Sequence, residues 1–348
     1  MIGVAITNIC NLKCSYCFAQ HVTKEEHKIF MDPQTYKSVL EFIKADPNFD
    51  GCVGICGGEP TVNPYFGEIL KIVINDPFIQ HIMVYTNGIN ADKYIDLLTN
   101  PKIGMLINLN PPSEIGEYNY NRIDKFLEES QKRFSLKLKS VSDYFSLGVN
   151  ISSNDFDYQY AIDLCKKYKM HNLRASITTK IDDPQLEILD YFKSRKDSFL
   201  KFVKDCDKAD IVPGRDCNPI SRCCWSEEEL AYLEDFDKRH NLENTQRWSE
   251  YSTCDRPVVT ILPDLTSINC FALDGISKKK ITEFKHAGEL QNYYINFINA
   301  YNRSSYTNKE CKECMHRLNG DCGMGCPAMR VEQIKKFIKL ENNLLDEE

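Results

Sequence analysis

At 348 residues, 42% of them hydrophobic and 27% charged, the chain has the composition of a soluble globular protein with room for one large domain and a smaller one. A formal net charge of −7 speaks against a nucleic-acid partner, and no apolar run approaches the roughly 20 residues of a membrane span. The N-terminus lacks the basic region and cleavage site of a signal peptide, so a cytoplasmic protein without a membrane partner is expected. Sixteen cysteines are then too many for a disulfide framework, because the cytosol keeps thiols reduced. They cluster at both ends of the chain, as soft thiolate ligands of zinc or iron–sulfur would.

In chain order, short β-branched apolar runs at 3–7, 52–56, 82–86, 104–109, 145–151 and 173–177 predict strands. Helical periodicity falls between them at 32–45, 65–75, 91–99, 120–134 and 158–168. This β–α alternation implies a parallel sheet curled into a partial (β/α)6 barrel over 1–180, with functional residues at the carboxyl ends of its strands. A bridging segment, 181–250, carries helices at 186–203 and 227–240 around a Cys- and Pro-rich stretch, 205–225. The last part, 251–348, reads as a small Cys-rich α+β domain: a hairpin at 258–261 and 267–271, a helix at 289–301, a ligand loop at 311–326 and a closing helix at 329–345. It is short of apolar residues, and bound metal could supply the missing stability. The lysines at 278–280 are expected to form a solvated face.

Directly after the first strand, Cys10-x3-Cys14-x2-Cys17 places three thiols in one short loop. Such a loop can wrap three corners of a cubane cluster and leave the fourth iron open. Structural zinc would want four closed ligands, and no nearby His completes the set. At the end of the second strand stands Cys56-Gly57-Gly58-Glu59-Pro60-Thr61. Glycines allow close backbone approach, and an acid suits an ammonium group. Cys52 and Cys165 read as core thiols.

With Tyr16 before its last Cys, the loop resembles the signature of the radical S-adenosylmethionine superfamily, and Gly57 to Pro60 resembles that family's GGEP motif. The resemblance implies a 4Fe–4S cluster on Cys10, Cys14 and Cys17, whose open iron chelates the methionine amino and carboxylate groups of S-adenosylmethionine. Reduction then releases a 5′-deoxyadenosyl radical. It further implies cofactor contacts from Tyr16, Gly57, Gly58, Glu59 and Pro60, and from Thr86 and Asn87, which match the family's TNG sequence. Asn108 and Asn110 stand where many relatives carry a Ser–Asp pair. Asn108, Asn150 on the fifth strand and Arg174 on the sixth are the expected polar partners of ribose and carboxylate, or alternatively polar supports of the fold.

The later cysteines, Cys254-x15-Cys270 and Cys311-x2-Cys314-x7-Cys322-x3-Cys326, resemble SPASM and twitch extensions that carry auxiliary 4Fe–4S clusters. One cluster or two is expected, and zinc is the rival. No Cys follows Cys326, where a full SPASM domain has one more; Cys217 and one of Cys223 and Cys224 could make up two sets of four. Cys223 or Cys224 could instead donate a hydrogen atom to a substrate radical. Relatives with such extensions mostly modify peptides, so a ribosomal-peptide maturase is expected, performing crosslinking, epimerisation or oxidation with electrons from a flavodoxin or ferredoxin. Leader binding is expected at the barrel, at 181–225 or on a separate protein. A small sugar or cyclitol dehydrogenase and a sulfatase-maturase-like oxidation are the enzymatic alternatives. An iron–sulfur electron carrier and a zinc-stabilised binding module are the non-enzymatic ones.

Overall fold

The computed structural model describes residues 1–19, 29–178, 187–215, 220–242, 247–251, 254, 258–273, 276–304, 306, 308–331, 333–336 and 338–339. Cys217 and the end of the expected closing helix lie outside the described residues.

Seven parallel strands carry the fold: β1 (Ile2–Ala5), β2 (Cys52–Cys56), β3 (His81–Thr86), β4 (Ile103–Asn108), β5 (Phe145–Ile151), β6 (Asn172–Ile177) and β7 (Val212–Arg215). The first six stand within a residue or two of their predicted places. The strands lie in sequential order from β1 to β7, and β7 forms one edge, so among the described residues the barrel does not close. β7 comes from the stretch expected as an irregular Cys- and Pro-rich segment. Pro213 supplies no N–H, which an edge strand tolerates and an interior strand does not.

Helices α1 (Pro33–Lys44), α2 (Phe66–Asn75), α3 (Glu117–Ser135), α4 (Gln159–Tyr168) and α5 (Ile188–Lys208) follow β1, β2, β4, β5 and β6 respectively. In α1, Tyr36, Val39, Leu40 and Ile43 make one buried stripe at helical spacing, and the Asp32 side chain caps the first turn through the Gln34 and Thr35 amides. The helix predicted at 91–99 is two short pieces, a 3₁₀ turn at Ala91–Tyr94 and an α turn at Ile95–Leu98. Period-2 alternation then divides the two faces of the sheet. On β3, Ile82, Val84 and Thr86 are buried while His81, Met83 and Tyr85 are half-buried; on β6, Leu173, Ala175 and Ile177 are buried while Arg174 and Ser176 are half-buried. One face thus packs dry, and the other carries polar groups.

Beyond α6 (Glu227–Arg239), closed at its start by a Ser226–Glu229 capping box, the chain returns to the sheet. The predicted hairpin forms as β8 (Thr260–Ile261) and β9 (Thr266–Ile268), antiparallel to each other. β8 also pairs in parallel with β1, Gly3 opposite Thr260, so the hairpin extends the main sheet. The lysines expected to be merely solvated form β10 (Lys279–Lys280) on the outer edge, where charge discourages further pairing. α7 (Ala287–Ser304) packs beside them, with Leu290, Tyr294, Ile298 and Tyr301 buried.

Candidate active site at the carboxyl ends of the strands

The Cys loop leaves β1 and returns through Phe30, which bridges to Thr7. Its base is fixed by buried polar side chains. Asn63 donates from Nδ2 to the carbonyls of Ile6 (2.7 Å) and Met31 (3.0 Å), Thr7 Oγ1 donates to Ile29 O, and Asn8 Oδ1 accepts from Ile29 N. Sequence reasoning missed Asn63, three residues past the Gly-Gly-Glu-Pro turn.

The two glycines serve this loop directly. Gly58 N donates to Thr7 O and Glu59 N to Ile9 O, at 3.0 and 2.8 Å. A Cβ on Gly57 would stand 2.4 Å from Thr7 O, and one on Gly58 would stand 2.4 Å from Ile9 O. Gly57 also has φ +150°, which L side chains rarely adopt. The close approach expected toward a ligand is therefore, within the protein, an approach to the backbone that carries Cys10.

Glu59 is 1% exposed. Its Oε1 accepts from Thr61 N (3.1 Å), Thr61 Oγ1 (2.6 Å) and Thr86 Oγ1 (2.7 Å), and its Oε2 accepts from Asn87 N (2.7 Å). Burial raises its pKa above the ordinary carboxylate value, and the hydrogen bonds oppose that rise. One carboxylate thus ties the end of β2 to the end of β3. Pro60 opens the buried turn between them. Asn87 Nδ2 donates to Asn11 Oδ1 (2.7 Å), which brings the TNG stretch to the Cys loop.

β4 contributes Asn110, which is 4% exposed and donates from Nδ2 to Cys14 Sγ at 3.4 Å, while its Oδ1 accepts from the Tyr16 hydroxyl. The three thiols are half-buried. Burial pushes Cys10 up to about 11, with smaller contributions from Glu59 and the two other thiols, and burial raises Cys17 as well. Further along the sheet, Arg174 Nη1 donates to both Asn108 Oδ1 (3.1 Å) and Asn150 Oδ1 (3.2 Å). Gly148 lies in register between Asn108 and Arg174, and a Cβ there would stand 3.0 Å from Arg174 Cδ. A cavity of ≈ 230 Å³ lies beside Tyr16, Asn110 and Asn150 and is also lined by Glu114, Asp155 and Asp157. The chosen residues thus fall into two hydrogen-bonded groups, Glu59, Thr86, Asn87 and Asn110 around the Cys loop and Asn108 and Asn150 around Arg174.

The other cysteines divide. Cys165 and Cys206 are core thiols, Cys52 is half-buried, and Cys224 is 6% exposed with its Sγ 3.9 Å from Leu189 O. Cys270 lies within electrostatic reach of Cys254 and Cys326, and Cys322 within reach of Cys311, Cys314 and Cys223. The described contacts of Cys223 and Cys224 are with these thiols and α5, not with the strand ends. Among the described residues, no three His, Cys, Asp or Glu side chains are drawn together closely enough to hold a single metal ion.

A family model described as the radical SAM superfamily matches residues 4–183, just over half of the chain. The chain belongs to the radical SAM superfamily, and it is accordingly an enzyme whose cofactors are a 4Fe–4S cluster and S-adenosylmethionine. That sets aside the electron-carrier and zinc-module alternatives. It is 33% identical over 97 residues to the GTP 3′,8-cyclase of Alkaliphilus oremlandii, covering 27% of this chain and 29% of that one. To the Vibrio cholerae GTP 3′,8-cyclase it is 32% identical over 98 residues, covering 27% and 28%. The chain thus spans less than a third of the length of these curated relatives. Among solved structures, Streptococcus suis SuiB bound to S-adenosylmethionine matches with TM-score 0.59 and 16% identity over 94% of this chain and 72% of that one. SuiB bound to precursor peptide SuiA matches with TM-score 0.61 and 16% identity, covering 94% and 71%. Among the described residues, no helix is long and apolar enough to cross a membrane.

Proposed function

We propose that Cys10, Cys14 and Cys17 hold the 4Fe–4S cluster and that the substrate is a peptide. The observation that carries the site is the frame around Glu59 and Asn110, which fixes the Cys loop against three strand ends. The donor set fits the group: three thiols in one braced loop and, among the described residues, no fourth protein ligand. Bound there, the cluster and S-adenosylmethionine supply a 5′-deoxyadenosyl radical that takes hydrogen from a substrate carbon. Glu59 Oε2, which accepts from one amide where Oε1 accepts three donors, is the atom placed to receive the cofactor's ammonium group. Asn108 and Asn150 commit their oxygens to Arg174, so their amide nitrogens serve as donors to carboxylate or ribose oxygens. Gly57, Gly58 and Pro60 shape the turn, Thr86 and Asn87 hold Glu59, and Tyr16 braces Asn110.

The C-terminal thiols Cys254, Cys270, Cys326, Cys311, Cys314 and Cys322 are proposed ligands of auxiliary clusters. Their surroundings fit an additional buried group. Asn269 Nδ2 and Oδ1, Asn308 Oδ1, and Arg330 Nε and Nη1 are buried without a partner among the described residues, and each residue stands within four positions of one of these cysteines. Buried polar atoms are rarely left so. Flavodoxin or ferredoxin is the proposed electron source.

The peptide reading is supported by the likeness of nearly the whole chain to SuiB, a protein solved with a precursor peptide. A small-molecule substrate is favoured instead by the shorter sequence similarity to the cyclases. The test uses anaerobically reconstituted enzyme, dithionite and S-adenosylmethionine, with either deuterated precursor-type peptides or deuterated GTP. Deuterium transfer from peptide into 5′-deoxyadenosine is expected. Transfer from GTP with none from any peptide overturns the peptide reading.

A further inference from the structure

We propose that Cys223, from the turn before α6, completes a four-thiol cluster site with Cys311, Cys314 and Cys322, almost ninety residues further along the chain. This rests on the reading that the C-terminal cysteines hold iron–sulfur clusters. A closed cubane takes four Cys ligands, and the 311–322 loop brings three. Its excursion folds back on itself: Cys314 N donates to Cys311 O and Cys322 N to His316 O. Arg317 holds the bend, donating from Nε to Cys311 O and from Nη2 to Lys312 O, both at 2.9 Å.

The fourth thiol is delivered by a shared support, the first turn of α5. The ligand loop sits on it through the Asn308 amide, which donates to Glu187, and through Gly325, whose Cβ would stand 3.2 Å from Phe192. The Arg222–Cys224 turn meets the same helix turn, where Cys224 Sγ approaches Leu189 O. Tyr251 closes the arrangement, its ring stacked 4.3 Å from that of His316. Cys223 is consequently within electrostatic reach of both Cys311 and Cys322, and Tyr251 feels Cys223, Cys314 and Cys322 together.

Of the adjacent pair, Cys224 is packed against α5 while Cys223 is exposed. The second set, Cys254, Cys270 and Cys326, forms a separate neighbourhood. Buried Arg330 lies within reach of Cys254 and Cys326 on one side and Cys322 on the other, and donates to Gly323 O beside Cys322. Each of the four thiols binds as thiolate and releases its proton. A ligand thiolate is committed, so the hydrogen-donor role considered for Cys223 does not apply.

The experiment uses the full chain with Cys10, Cys14 and Cys17 replaced by Ala, so that only C-terminal sites take up iron. Cys223→Ala, Cys224→Ala and Cys314→Ala are compared in that background by iron and sulfide content, Mössbauer spectra and EPR after dithionite. Circular dichroism checks that each variant is folded. Cys223→Ala and Cys314→Ala are each expected to lose about four irons per chain, or to convert the same spectral component to a labile three-iron form. Cys224→Ala is expected to keep the parental content. Loss in Cys314→Ala with an unchanged spectrum in Cys223→Ala overturns the assignment of Cys223 and leaves the cluster reading standing. No change in Cys314→Ala, or zinc in place of iron, overturns the cluster reading itself and the assignment with it.

Discussion

The barrel strands and the Cys-rich stretch after residue 250 reach burial by different means. In the first, one apolar cluster runs from Ile2 through α1 to α5, and the polar groups buried at its strand ends satisfy one another. In the second, Val259, Ile261, Leu290 and Tyr294 join that same cluster, while Leu273, Ile276, Ile298, Tyr301 and Ile334 make a small separate one. Asn269, Asn308 and Arg330 bury polar atoms without partners among the described residues, beside the cysteines. Apolar burial, at about 25 cal/mol per Å², is the main support of the barrel. The same element, iron–sulfur, is thus proposed as a reagent in one region and as a structural member in the other.

Four measurements break or sharpen that contrast. The largest effect is expected from Cys14→Ala, which should reduce 5′-deoxyadenosine formation to background while leaving the melting temperature of the barrel close to wild type. A collapse in melting temperature would show that the barrel, too, leans on its cluster. Anaerobic chelation of iron should next raise hydrogen exchange and proteolysis in 258–331 while β1 to β5 keep their protection; equal loss in both regions would erase the distinction. Gly58→Ala places a methyl against Ile9 O and should weaken iron retention at the first site by about 10–100-fold, the range for lost support of a metal ligand. Iron retained at the wild-type level would mean that the loop can shift without cost. Thr86→Val removes one of Glu59's donors and the acceptor for Gly88 N. It should cost about 1–2 kcal/mol of barrel stability in urea titration, and an unchanged midpoint would show that the frame is redundant there.

Much of this was legible in the sequence wherever the signal is local. The Cys spacing and Gly57 to Pro60 each fit within a dozen residues, and short β-branched apolar runs located six strand ends and with them Thr86, Asn108 and Asn150. What escaped depends on pairs distant in the chain. Asn63 reads as a loop residue until Ile6 and Met31 are brought to its amide. Asn110 was visible as a strand end, but its bond to Cys14 spans 96 positions. The partnership of β8 with β1 has no local trace, and neither does the support that α5 gives to both Cys223 and the 311–322 loop.

The place of β1 has a consequence for how the protein is made. This strand is first in the chain yet interior in the sheet, flanked by β2 and by β8. Its second neighbour is synthesised some two hundred residues after the first, which at ribosomal speed takes roughly 10–40 s. During that interval the nascent chain presents an open hydrogen-bonding edge beside the thiol loop. Completion of that edge is thereby tied to the translation of β8.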